Sequence, residues 1–124
     1  MISFDDFKAE GKLPIYVQLL DYIKRGAAAG TVADGDELPS RRVLSARLGI
    51  NPNTVQKAFA LLEEEGLISS HAGAKSVMTL SPERVEELKA ELLEDELKAM
   101  IRVLKQTGLE RDEAAELIKR YWED

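Results

Sequence analysis

Asn53, Thr54, Gln56 and Lys57 cluster in the stretch GINPNTVQKAF, residues 49–59. An asparagine or glutamine amide can pair with N6 and N7 of adenine in a major groove, and a threonine can reach a phosphate or a thymine methyl. Lysine adds positive charge against a nucleic-acid backbone. Upstream stand Ser40, Arg41, Arg42 and Arg47, and guanidinium groups suit phosphate oxygens. Between Leu38 and Leu62 these three arginines and Lys57 are the only charged residues. Such a set makes contacts and breaks no bonds. No acid pair, Gly-rich phosphate loop or nucleophile–base constellation is recognisable, so an enzyme reading has little support. With no cysteine and only His71, no metal site or cofactor is expected either.

The overall charge of −6 conceals this local island. Residues 81–124 carry 13 acids against 8 bases, whereas residues 1–80 carry 10 against 9. Local charge, rather than the whole-chain average, governs phosphate contact. The composition, 44% hydrophobic and 32% charged, is that of an ordinary soluble domain. The lack of cysteine fits a reducing cytoplasm. No apolar run approaches the roughly 18 residues that suggest a membrane span, and Asp5, Asp6 and Glu10 argue against a secretory signal.

The elements that would position the polar cluster can be read from caps and spacing. Residues 1–13 alternate weakly through Ile2, Phe4 and Phe7, predicting a short strand or an arm. Pro14 opens a first helix whose apolar face is Ile15, Tyr16, Leu19, Leu20, Ile23 and Ala27, and Gly30 stops it. After the turn signals of Asp34-Gly35 and Pro39, Ser40 caps a second helix, with Val43, Leu44, Ala46 and Leu48 inside it. Gly49 ends that helix. Asn51 caps the third and Pro52 takes its first position, while Ile50 and Val55 are placed for a hydrophobic staple. Val55, Ala58, Phe59 and Leu62 form the buried stripe, and Gly66 closes the helix. Glu63, Glu64 and Glu65 read as a solvated helix end.

Two helices joined around a glycine make a helix-turn-helix. LISSH and SVMTL then read as strands of a hairpin around AGAK. The fold class is therefore mainly α with a small β-hairpin wing: a winged helix-turn-helix over residues 1–80, followed by a helical dimerisation tail over 81–124. Within the wing, His71, Gly73 and Lys75 are candidates for contact with the minor groove or phosphate. In the tail, Ser81-Pro82 launches a helix to about Gln106, stopped by Gly108. Its apolar residues form two stripes, Val85, Leu88, Leu92, Ala99, Val103 and Leu93, Leu97, Ile101, Leu104. A last helix with Ala114, Leu117, Ile118, Tyr121 and Trp122 can cover one stripe, and a second copy of the chain the other. Leu88, Leu92, Ala99, Val103, Leu117, Tyr121 and Trp122 are the expected dimerisation set.

The segments PIYVQLLDYI and DGDELPSRRVLSARLGINPNTVQKAFALLEEEGLI together resemble the DNA-binding domain of GntR-family bacterial transcription regulators. The likeness runs from about Pro14 to Leu80, and the short tail resembles the YtrA-like subfamily. This resemblance implies a homodimer on double-stranded operator DNA, a repressor and often the control of transporter genes. It makes Arg42 the phosphate-contacting arginine and turns Asn53, Thr54, Gln56 and Lys57 toward DNA. Family wings often read like RRGRGTFV, whereas this chain has HAGAKSVM and lacks the arginines. Two other classes remain open from sequence: a winged helix turned to protein–protein contact, and a sensor with a small-molecule or metal effector at the tail.

Overall fold

A computed structural model describes residues 1–70 and 75–124. The elements run α1 (Ile15–Ala29), α2 (Arg41–Leu48), α3 (Pro52–Glu64), β1 (Ile68–Ser69), β2 (Val77–Met78), α4 (Pro82–Gln106) and α5 (Arg111–Tyr121). The mainly helical fold with one small antiparallel sheet is the one expected. The chain forms two compact units, Met1–Lys89 and Ala90–Asp124.

In the first unit α1 and α2 both pack on α3. The spacing of apolar residues explains the core: Leu19, Ile23 and Ala27 from α1 meet Val55, Ala58, Phe59 and Leu62 from α3, all buried. Among the described residues sixteen apolar side chains form this one cluster, so removal of a single large member should cost roughly 2–5 kcal/mol. Leu88, from the second turn of α4, is fully buried in the same cluster. It was expected at a dimer interface, but no part of its side chain is left for a partner.

α2 turns differently from the expectation. Val43 is 46% exposed and Ala46 is also exposed, whereas Leu44 and Ser45 are buried and Arg41 and Leu48 half-buried. At 100° per residue, positions 41, 44, 45 and 48 share a face, and Val43 and Ala46 point away from it. Only Leu44 and Leu48 of the expected interior set lie inward.

The N-terminal residues form an arm rather than a strand. Ile2 and Phe4 are buried, and the Ile2 N–H donates to the Glu37 carbonyl at 2.9 Å. Tyr22 of α1 anchors the arm, its hydroxyl donating to the Ser3 carbonyl at 2.9 Å and its ring lying beside Phe4 and Phe7. Burial, with Asp6 and Asp5 nearby, pushes the Tyr22 phenol above its ordinary value of 10.0.

The wing strands are short, with Ile68 opposite Met78 and Ser69 opposite Val77. Residues 36–38 reinforce them: Met78 N–H donates to the Asp36 carbonyl at 2.8 Å and Leu38 N–H to the Ser76 carbonyl at 2.9 Å. The hydroxyls of Ser70 and Ser76 share a hydrogen bond of 2.7 Å. Glu65, at the end of α3, pairs with Lys24 at 2.8 Å and with Arg84 at 3.8 Å. It ties α1 and the first turn of α4 to α3 while staying exposed like Glu63 and Glu64, as expected of a solvated helix end.

The second unit holds the remainder of α4 and the helix α5, which opens with a capping box between Glu110 and Glu113. Two helices cannot enclose the apolar surface they carry. Leu93, Leu97, Met100, Val103, Tyr121 and Trp122 are all more than half exposed. Among the described residues no helix is long and apolar enough to cross a membrane.

Candidate nucleic-acid interface

The site is built from the turn outward. Gly49 closes α2 in the left-handed region, φ 66°, where a side chain is disfavoured. Ser45, one turn earlier, clamps the turn from inside. Its carbonyl accepts from Gly49 and Ile50, the latter at 3.2 Å, and its hydroxyl donates to the Ile50 carbonyl at 2.5 Å. A buried polar residue is thereby satisfied within the turn that joins α2 to α3. Nothing in composition or spacing singled Ser45 out. The clue was its place on the α2 face that carries Leu44 and Leu48.

α3 starts as its sequence dictates. The Asn51 side chain accepts from the Asn53 N–H at 2.8 Å, and Pro52 occupies the first turn without losing a hydrogen bond. With Val55, Ala58, Phe59 and Leu62 turned inward, Asn53, Gln56 and Lys57 are left exposed and Thr54 half-buried. The four residues expected to act together thus lie at the N-terminal end of one helix, where backbone N–H groups and the helix dipole also favour an anion.

The basic residues around this surface fall into distinct states. Arg42 and Arg47 are exposed on the outer side of α2. Arg41 is half-buried, its guanidinium 5.1 Å from the centre of the Phe59 ring, and its Nε has no hydrogen-bond partner among the described residues. Lys57 holds its ammonium 4.0 Å from the centre of the Tyr16 ring on α1. Lys75 pairs with Glu37 at 3.3 Å, both side chains being at least half exposed, so the pair is a weak surface contact. Ser40 spends its oxygen on capping α2, accepting from the Val43 N–H at 3.1 Å, while its proton stays available to donate. His71 and Gly73 lie outside the described residues.

Of the residues assigned to dimerisation, Leu92 and Leu117 are half-buried and Ala99, Val103, Tyr121 and Trp122 are exposed in the second unit. Among the described residues no cluster of three or more His, Cys, Asp or Glu side chains could hold a metal ion.

Comparison with known proteins adds four findings. Residues 15–76 match the model of the gntR family of bacterial regulatory proteins. The transcriptional repressor YtrA of Bacillus subtilis (strain 168) is 34% identical over 107 residues, which are 86% of this chain and 82% of that protein. Among solved structures, a GntR family transcriptional regulator from Listeria monocytogenes aligns with a TM-score of 0.78 and 29% identity, covering 90% of this chain and 98% of its own. The DNA-binding domain of AraR, solved in complex with operator ORE1, aligns with a TM-score of 0.51 and 25% identity over 59% of this chain and 89% of its own.

Proposed function

The chain belongs to the gntR family of bacterial regulatory proteins, and on that footing we propose that it is a homodimeric repressor that reads a two-fold symmetric operator. The observation that carries the proposal is the outward face of α3. Two amides, a hydroxyl and an ammonium stand there on a helix whose entry turn is locked by Ser45. In this reading Gln56 and Asn53 pair with base edges, Thr54 with a phosphate or a thymine methyl, and Lys57 with the backbone. Arg42 and Arg47 hold phosphates from α2, joined by the Ser40 hydroxyl at its N-terminus. Arg41 supports from within, and Lys75, only weakly paired with Glu37, can contact phosphate from the wing. The name of YtrA supports repression, and the operator complex of AraR supports DNA as the ligand.

The tail supplies the second copy. Its apolar residues are too exposed for a unit that works alone, and two-fold pairing through them sets two α3 helices roughly 34 Å apart, or a multiple of that, along the duplex. Occupancy of such a site excludes polymerase.

Selection from random duplexes with the purified full chain tests this. The expected result is an inverted repeat bound with steep salt dependence, log affinity falling by about 0.9 per log salt for each phosphate neutralised. Failure to enrich any sequence would count against a DNA ligand and in favour of a winged helix used for protein contact.

A further inference from the structure

Lys57 is the one ammonium on the outward face of α3, and a ring rather than a carboxylate holds it. Elsewhere in the same unit an acid holds Lys24 (Glu65, 2.8 Å), Lys75 (Glu37, 3.3 Å) and Lys89 (Glu86, 3.2 Å), while Lys8 and Lys12 have no ion pair among the described residues. Lys57 has no carboxylate partner among the described residues and lies 4.0 Å over the Tyr16 ring centre.

We propose that Tyr16 is a positioning residue for DNA binding, its ring holding the Lys57 ammonium in place for a phosphate without cancelling its charge. The inference rests on the DNA-binding reading above and extends it to α1, an element that reading left without a part in recognition. A carboxylate in the same place would remove the charge on which counterion release depends. An aromatic face attracts the cation through its quadrupole instead and leaves the full charge available. The ammonium has three N–H donors, and the ring occupies only one side of it. A lysine side chain also has many rotamers to lose, so one already held loses fewer on meeting DNA. Tyr16 is itself half-buried one turn before Leu19, which is wholly inside the core, so the ring is anchored to the body of the unit.

The test uses the full chain and the tightest duplex selected by the wild type, with Tyr16→Phe, Tyr16→Leu, Lys57→Met and the Tyr16→Leu/Lys57→Met pair. Thermal melting checks that each variant is folded. In the free protein, proton NMR reads the ring-current shift at the Lys57 ε-methylene, expected in wild type and Tyr16→Phe and lost in Tyr16→Leu. Fluorescence anisotropy across a salt series reads DNA binding. Tyr16→Phe keeps the ring and should bind within about twofold of wild type, whereas Tyr16→Leu should bind about two- to fivefold more weakly, the span of an exposed cation–π contact. The same change should have no further effect once Lys57 is methionine. Any one of four results overturns the proposal: no ring-current shift in the wild type, a Tyr16→Leu loss that persists in the Lys57→Met background, a Tyr16→Phe loss as large as that of Tyr16→Leu, or tighter binding by Tyr16→Leu. The third would mark the phenol hydroxyl as a DNA contact in its own right, and the last would mean the ring withholds the lysine. A wild type that binds no duplex sinks the DNA reading and this inference together, and does so before any variant is made.

Discussion

Arg41 and Arg42 are adjacent in the chain, yet a 100° step around α2 separates their roles. Arg41 lies against Phe59 with its Nε enclosed, while Arg42 is open to solvent. Arg42→Ala should weaken all duplexes alike and flatten the salt slope by about 0.9. Arg41→Ala should instead lower the melting temperature, by the equivalent of about 0.5–1 kcal/mol for an exposed-to-partly-buried cation–π contact, with the salt slope little changed. Gln56→Ala should cost about 1–3 kcal/mol at one base pair and relax preference there. Anisotropy titrations against the selected duplex and its single-base variants check the Arg42 and Gln56 changes, and thermal melting together with a salt series checks Arg41→Ala. A change of preferred sequence on Arg42→Ala would contradict a phosphate role. At this scale the sequence was legible where side-chain type and helical phase agree, as in α3. It misled in α2, where apolar Val43 faces outward and polar Ser45 is the buried one. Helical phase there is set by packing on α3, a tertiary fact that residue type does not carry. Nor do ring partners show in a linear pattern, since Tyr16 and Lys57 are brought together only by the packing of α1 on α3.

Among the elements, helix starts were readable because caps are local chemistry: Ser40, Asn51 and Pro52 act where spacing put them. Close approaches between elements were not readable, and α1 holds the clearest case. Gly26 sits inside α1, where glycine costs about 1 kcal/mol against alanine. Its carbonyl accepts from the Val32 N–H at 3.0 Å as the chain folds back over the helix. A Cβ at Gly26 would stand 2.7 Å from Val32 Cγ2. Gly26→Ala should therefore destabilise the first unit by about 1–3 kcal/mol through overpacking, less what helix propensity returns. Val32 is itself buried, so Val32→Ala alone should also cost stability. The Gly26→Ala/Val32→Ala pair should nevertheless lose less than the sum of the two single changes, because the clash is with the valine methyl. Urea unfolding of the three variants measures this, and a Gly26→Ala more stable than wild type would mean that Val32 moves aside freely.

For the molecule as a whole, the acidic tail and the basic face of α2 and α3 divide the work that the net charge of −6 averages away. Burial of Leu88 moves the proposed self-association surface beyond Lys89, so a cut near residue 80 would damage the core as well as the tail. Point changes separate the two effects. Leu97 and Ile101 lie one turn apart on α4 and are 57% and 41% exposed, so charging them disturbs little within one chain. Leu97→Asp/Ile101→Asp should sediment as a monomer while leaving the melting of the first unit nearly unchanged, since exposed substitutions usually fall within about 0.5 kcal/mol. Loss of the second half-site should weaken binding to the full inverted repeat by about 10²–10⁴, the usual gain from linking two sites. Binding to a single half-site should stay as it was. A double variant that remains dimeric would move self-association off this face of α4, and a monomer that still bound the full repeat at wild-type affinity would remove dimerisation from the mechanism.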